Sequence, residues 1–385
     1  MNRKLLICLL MLTLLSGCWD IKDMQIVNYA VSVGLDYKDG KYLIYAQMIE
    51  FTSIARQESG KQSNPPQQWV GKGEGETINQ AINDLLDTAQ QRTYWSHATN
   101  IIMTKRLLEQ GVDHIEDTLF RFWEMRYTPW IYGTEEEIED VYTTPGFFNL
   151  PSLATILNEP IELYKQKSYI APMQYFRFVS LLREPDQTIL LPSISINKEQ
   201  WHKNNKVDKK LEMNGVYALQ NYELKGFFDK NRLAGLRWLE SRTERTPLVI
   251  RKEGKSQAVL SMNKPEIDIK PHVDKQGPVY SIHVKITGDI IELTRAMPES
   301  KLVEEAQRHI RGEIMTTYRN GLEKKADLFS LQHVLYRKHY GRWRKLQADR
   351  PFQLKEDSIQ AIEVEVKLKH SGMLRDSIRT QPAVK

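Results

Sequence analysis

The chain opens on a short oily leader, and that leader sets the terms for everything after it. Arg3 and Lys4 precede an apolar run from Leu5 to Leu15, interrupted only by Thr13. A bilayer core of ~30 Å needs about 20 residues of helix, so this run is too short to span it. It reads as the hydrophobic region of a secretory signal peptide. No later apolar run approaches that of a membrane span, so the body must fold in water around a core of its own. Cysteine offers no help, since the chain has only two, Cys8 inside the leader and Cys18 at its end. That excludes a disulfide framework and a thiolate zinc cluster. At roughly 100–200 residues per domain, 385 residues make two or three domains. The formal charge is only +5, a weak field that gives no support to a nucleic-acid binder.

The leader ends in Leu15-Ser16-Gly17-Cys18. Two small residues after a Leu, followed by Cys, resemble the bacterial lipobox. The resemblance implies cleavage between Gly17 and Cys18 and a diacylglycerol on the Cys18 sulfur. Two or more acyl chains hold a protein to a membrane stably, at ~0.8 kcal/mol per buried CH₂. The expectation is an exported body tethered by its first mature residue.

Periodicity then predicts a mixed chain. Val27, Tyr29, Val31, Val33 and Leu35 alternate as a strand, Asp39-Gly40 turns, and Lys41 to Phe51 returns. Residues 52–68, with Pro65-Pro66, read as a loop. Gly71-Lys72-Gly73-Glu74-Gly75 has the spacing of neither common phosphate loop and reads as a flexible turn. The capping pattern Thr77-x-x-Gln80 then starts a helix with an Ile78, Ala81, Ile82, Leu85, Leu86 and Ala89 stripe. Residues 98–104 and 127–133 read as strands and 112–126 as a helix. Thr134-x-x-Glu137 reads as the cap of a short acidic helix, whose carboxylates suit its N-terminal dipole better than catalysis.

Residues 198–210 hold seven charged residues and read as a linker. Beyond it, strands are expected at 212–222, 257–269 and 277–289, with a helix near 229–242. Two long helices, 298–324 and 330–346, come next. The last strand puts Ile362, Val364, Val366 and Leu368 on one face and charges on the other, as a sheet with one wet face requires. The expected fold is α+β: mixed domains with antiparallel sheets packed against helices. The expected divisions are a signal peptide at 1–17, an N-terminal region 18–197, the linker, a C-terminal domain 211–372 and a tail 373–385.

A search for chemistry finds no H-E-x-x-H, G-x-S-x-G or C-x-x-C. His97 reads as structural, and His333 and His339, six apart, fall on different helix faces. The basic, aromatic stretch Arg337–Lys345 reads as a helix end with an inward Trp343, ahead of a lipid-facing patch. No catalytic residue, metal site or cofactor is expected.

Several landmarks together resemble the Ger(x)C spore germination lipoproteins, the C subunits of germinant receptors. Gly17-Cys18-Trp19-Asp20 matches their mature start. Gly75-Glu76-Thr77-Ile78 with Ala81-Ile82, His97 with Ile101-Ile102, and Arg121-x-x-Glu124-x-Arg126 follow in order. Gly215 to Leu219, Leu224-x-Gly226, Leu233-x-Gly235, Ala326-Asp327-Leu328 and Val364-x-Val366 match the second half. The resemblance implies a non-enzymatic subunit on the outer face of the spore inner membrane, lipidated at Cys18. It implies assembly with the A and B membrane subunits of the receptor, which responds to nutrients. The rival is a solute-binding lipoprotein of an ABC-type importer, which requires two doubly wound lobes. An anchored envelope hydrolase is the third reading.

Overall fold

The computed structural model describes residues 27–49, 67–113, 115, 124–150, 152–273, 277–294, 297–349 and 352–369. Gly17, Cys18, the expected signal peptide, the tail, and most of the helix expected at 112–126 lie outside the described residues.

Strands β1 (Asn28–Lys38) and β2 (Lys41–Ile49) form the expected hairpin. Asp39 and Gly40 both take positive φ, at 53° and 79°. That is the backbone twist a two-residue hairpin turn needs. Next comes β3 (Gln68–Gly75), antiparallel to β2. The glycine run expected to be a flexible turn is therefore a strand. Its glycines let helix α1 (Ile78–Leu86) lie on it: a Cβ at Gly73 would fall 2.2 Å from the Ala81 carbonyl oxygen. Thr77 and Gln80 close the expected capping box, each side chain accepting the other's backbone N–H at 3.2 Å.

The short β4 (Thr93–Tyr94) pairs with β1. β5 (Asn100–Thr104) and β6 (Trp130–Thr134) run parallel to β1, and β7 (Thr188–Asn197) parallel to β6. Between them come helices α2 (Lys105–Leu108), α3 (Ile138–Thr143), α4 (Pro160–Gln166) and α5 (Tyr175–Leu182). The strands carry apolar side chains on both faces, as a sheet covered on both sides must. Ile101, Met103 and Ile131 share a core with α1 and α5, while Ile102 and Tyr132 share one with α3.

The expected linker does not separate two sheets. After β7 the chain forms a small ribbon, β8 (His202–Lys203) and β9 (Lys206–Val207), then returns as β10 (Lys210–Gln220). β10 pairs antiparallel with β7 from Lys210–Asn197 to Gln220–Thr188. β11 (Glu223–Asp229) pairs with β10, so the sheet runs β11-β10-β7-β6-β5-β1-β2-β3 and extends past residue 211. Charge density marked a solvated hairpin tip, since Asn204 and Asn205 take φ of 50° and 62° there.

The second sheet has four strands, β12 (Thr246–Lys252), β13 (Lys255–Val273), β14 (Pro278–Leu293) and β15 (Ile359–Lys369). Helix α6 (Glu299–Glu323) buries Leu302, Ala306, Ile310, Ile314 and Tyr318, the expected stripe. It packs in one core with Ile362, Val364 and Leu368 of β15. The expected helix near 229–242 is instead two single turns, Lys230–Leu233 and Leu236–Trp238. Gly235 between them touches the backbone of α6: a Cβ there would sit 2.5 Å from Glu313 O. The expected helix 330–346 divides at His339 (φ −142°, ψ 58°) into α7 (Leu331–Lys338) and α8 (Tyr340–Asp349).

The two sheets meet along β10. Val216, Ala218 and Phe228 of the large sheet join the core of the second, beside Trp238 and Leu260. The two doubly wound lobes required of an importer's binding protein are not found among the described residues.

Candidate functional site

Among the described residues, the acids before α3, His97, His333 and Trp343, which the sequence offered for chemistry, make structural contacts. Glu135 and Glu137 lie before α3, so the cap expected at Thr134-x-x-Glu137 does not form. Thr134 Oγ1 instead donates to Ile194 O at 2.8 Å and accepts the Glu136 N–H at 3.1 Å. The acids answer cations on α2: Lys105 Nζ reaches Glu135 at 2.7 Å and Arg106 Nη1 reaches Glu137 at 3.0 Å. Arg106 also grips Asp36 through Nη2 at 2.7 Å and Nε at 3.1 Å. Asp36 is almost fully buried at the end of β1. Burial pushes its carboxyl up, but Arg106, the Thr104 hydroxyl and the Tyr37 N–H together hold it below its ordinary value.

His97 is exposed and meets the Tyr29 ring edge-on at 4.7 Å. His333 Nδ1 pairs with Pro185 O at 3.0 Å, while His339 is exposed at the break before α8. Among the described residues no three His, Cys, Asp or Glu side chains are grouped to hold a metal. In the basic, aromatic stretch, Trp343 Nε1 donates to Asp186 at 2.6 Å and the ring packs on Tyr336 at 4.9 Å. The inward reading of Trp343 matches this placement.

The feature that sequence reasoning missed is a cluster of exposed rings. Phe148 is 91% exposed with φ at 56°, in the left-handed region that a bulky residue rarely takes. Phe147 beside it meets Trp201 edge-on at 4.8 Å, and Lys210 Nζ lies 4.9 Å over the Phe147 ring. Trp201 and Val207 are both about half exposed. The only signals were two Phe after Pro145-Gly146 and one Trp inside a charged stretch. β1, β5, β6 and β7 run parallel, so Val27 lies where these strands begin. Trp201 lies past the end where β7 finishes. The ring cluster therefore sits at the opposite end of the sheet from the chain's entry.

Two family models cover most of the chain in order. The model described as "Spore germination protein N-terminal domain" matches residues 20–196, and that described as "Spore germination B3/ GerAC like, C-terminal" matches 214–372. The chain belongs to the Ger(x)C family of germinant receptor C subunits. Spore germination protein KC of Bacillus subtilis is 22% identical, over 99% of this chain and 99% of that protein. Spore germination protein B3 of the same organism is 25% identical, over 75% of this chain and 74% of its own. The crystal structure of the GerBC protein shares the fold, with TM-score 0.55 at 15% identity, covering 92% of this chain and 100% of that one.

The Ger(x)C landmarks of the second half now have physical reasons. Gly215 lies against Phe228 O, where a Cβ would come within 2.3 Å, and Gly235 lies against α6. Asp327 Oδ2 accepts the Gln332 N–H at 2.8 Å and so holds the start of α7. The family models stop and restart around the β8–β9 ribbon, although β7 and β10 on either side of it pair in one sheet. The family has a role in spore germination and is not a known enzyme class. No helix among the described residues is long and apolar enough to cross a membrane.

Proposed function

We propose that this protein is the lipid-anchored C subunit of a nutrient germinant receptor. It is fastened through Cys18 to the outer face of the spore inner membrane, where it supports receptor assembly. One observation carries the reading: the first family match begins at residue 20, two residues beyond the cysteine of the Leu15-Ser16-Gly17-Cys18 motif. Tethering confines the body to two dimensions and raises its effective concentration near membrane partners, so modest interfaces suffice for assembly. The A and B membrane subunits are the partners this reading requires. The exposed rings of Phe148 and Trp201 offer them a contact, because aromatic side chains are favoured at the centres of interfaces. The body acts by binding and takes no catalytic step.

The test is Cys18→Ala in the full chain, expressed in the sporulating cell. Loss of the protein from the spore membrane fraction and loss of nutrient response are expected. A normal response with the variant wholly soluble would refute the tether. Phe148→Ala with Trp201→Ala should leave the protein in the membrane fraction yet weaken its co-purification with the other subunits.

A further inference from the structure

We propose that the recess between the two sheets binds a small apolar carboxylate through Arg177. The recess has a volume of about 270 Å³, close to the lower end of small-molecule sites. Both halves of the molecule build it. Helix α5 supplies Arg177, β7 supplies Thr188 and Leu190, and the second half supplies Leu236, Glu240, Arg242 and Phe329.

The charges in it do not balance. Glu240 gives both carboxylate oxygens to Arg242, at 2.9 Å to Nε and 2.8 Å to Nη2. Arg242 Nη1 then donates to Pro172 O at 3.0 Å. Arg177 lies close enough to feel both the Arg242 and the Glu240 charge, but among the described residues its guanidinium has no hydrogen-bond or ion-pair partner. Two guanidiniums thus share one carboxylate that is already fully used. Burial lowers the Arg177 pKa, with the Arg242 charge acting in the same direction. A partly desolvated cation without a counter-charge is costly.

A second group is also left open. Thr188 is 3% exposed, and among the described residues its Oγ1 has no hydrogen-bond partner. A buried hydroxyl in that state ordinarily has a ligand or water to meet it. A carboxylate would satisfy the planar fork of Arg177 through two parallel N–H···O bonds. Its apolar body would lie against Leu190, Leu236 and Phe329. Such a ligand touches elements of both sheets, so it favours the arrangement that holds them together. This inference is independent of the lipid anchor.

The experiment is calorimetric titration of the full chain, held in detergent micelles, with hexanoate, hexanol and acetate. Hexanoate is expected to bind more tightly than either, since hexanol lacks the charge and acetate lacks the body. Arg177→Gln should weaken hexanoate about tenfold or more, as loss of a charge-assisted contact does. Arg177→Lys should recover part of that loss. The thermal midpoint of unliganded Arg177→Gln should match or exceed the wild type, because an uncompensated cation is removed. If that variant fails to fold, Thr188→Val serves instead and should weaken hexanoate severalfold. Absence of any hexanoate heat at millimolar concentration overturns the proposal. So does equal binding of hexanol, equal binding of acetate, or unchanged hexanoate affinity in Arg177→Gln.

Discussion

Strands β3 and β15 each carry a helix on one face, and they do so by opposite means. β15 offers Ile362, Val364 and Leu368 to α6, and these side chains fill the space between helix and sheet. β3 offers Gly71, Gly73 and Gly75, and α1 comes down onto bare backbone. The first interface draws its stability from side-chain burial on both partners. The second draws it from the helix side, where Ile78, Ala81, Ile82 and Leu85 are buried, and from close approach. One kind of contact tolerates trimming, and the other tolerates no addition.

The sharpest way to break the contrast is Gly73→Val. A Cβ at this position falls 2.2 Å from Ala81 O and 2.6 Å from Leu85 N, both backbone atoms of α1 that no rotamer can move. The helix must lift from the strand, at a cost of about 3 kcal/mol or more. Val364→Ala on β15 removes volume instead of adding it. Val364 is buried beneath α6, so about 2 kcal/mol is expected, with the strand still in place. Urea denaturation of both variants measures the difference. A smaller loss in Gly73→Val than in Val364→Ala would remove the distinction.

The same contrast explains what could be read in the sequence. β15 announced itself, because alternation of apolar and charged residues is the signature of a half-buried strand. The β1–β2 hairpin, the α6 stripe and most of the α1 stripe were legible for the same reason, although Leu86 is exposed and Ala89 lies past the end of α1. β3 was not, because glycine carries no apolar pattern, and what makes it a strand is the helix lying on it. The β8–β9 ribbon was missed in a related way: its exposed charges resemble a linker, and only the distant pairing of β7 with β10 distinguishes the two. Of the candidate sites, Cys18 rests on a local motif alone and lies outside the described residues. The ring cluster and the Arg177 recess were not legible, since each assembles residues distant in sequence.

The two regions also start their helices differently, and pH separates them. α1 begins on the neutral, exposed Thr77–Gln80 box, whereas α7 is held by the buried Asp327. Burial pushes the Asp327 carboxyl up to about 6, only partly offset by backbone N–H groups of Gln332, Leu331 and Phe329. Its pKa is thus above the unfolded value of about 4. The native state therefore holds a proton across that window that the unfolded chain has lost. Stability must fall as pH rises through this range, by on the order of 3 kcal/mol, and then stay level. Asp36 acts oppositely and lower: its depressed carboxyl gives stability that is lost only as pH falls below the ordinary carboxylate range. Asp327→Asn should flatten the fall between pH ~4 and ~6 and leave the acid limb unchanged. An identical pH profile in the variant would show that Asp327 is not protonated in the fold.

The smallest effect is expected at the other cap. Thr77→Ala removes the oxygen that accepts the Gln80 N–H, while the return bond from the backbone N–H of residue 77 to Gln80 Oε1 stays available. Both groups are exposed, so water replaces the lost partners, and the cost should be about 1 kcal/mol with no dependence on pH. If the helix drew its stability mainly from this box, the loss would rival that of Gly73→Val. A loss several times smaller would instead mean that α1 is held chiefly by its fit to bare strand backbone. Thermal denaturation of Thr77→Ala, Gly73→Val and the double variant decides this. Once α1 has been lifted from β3, the cap has little left to stabilise, so the two losses should add to less than their sum.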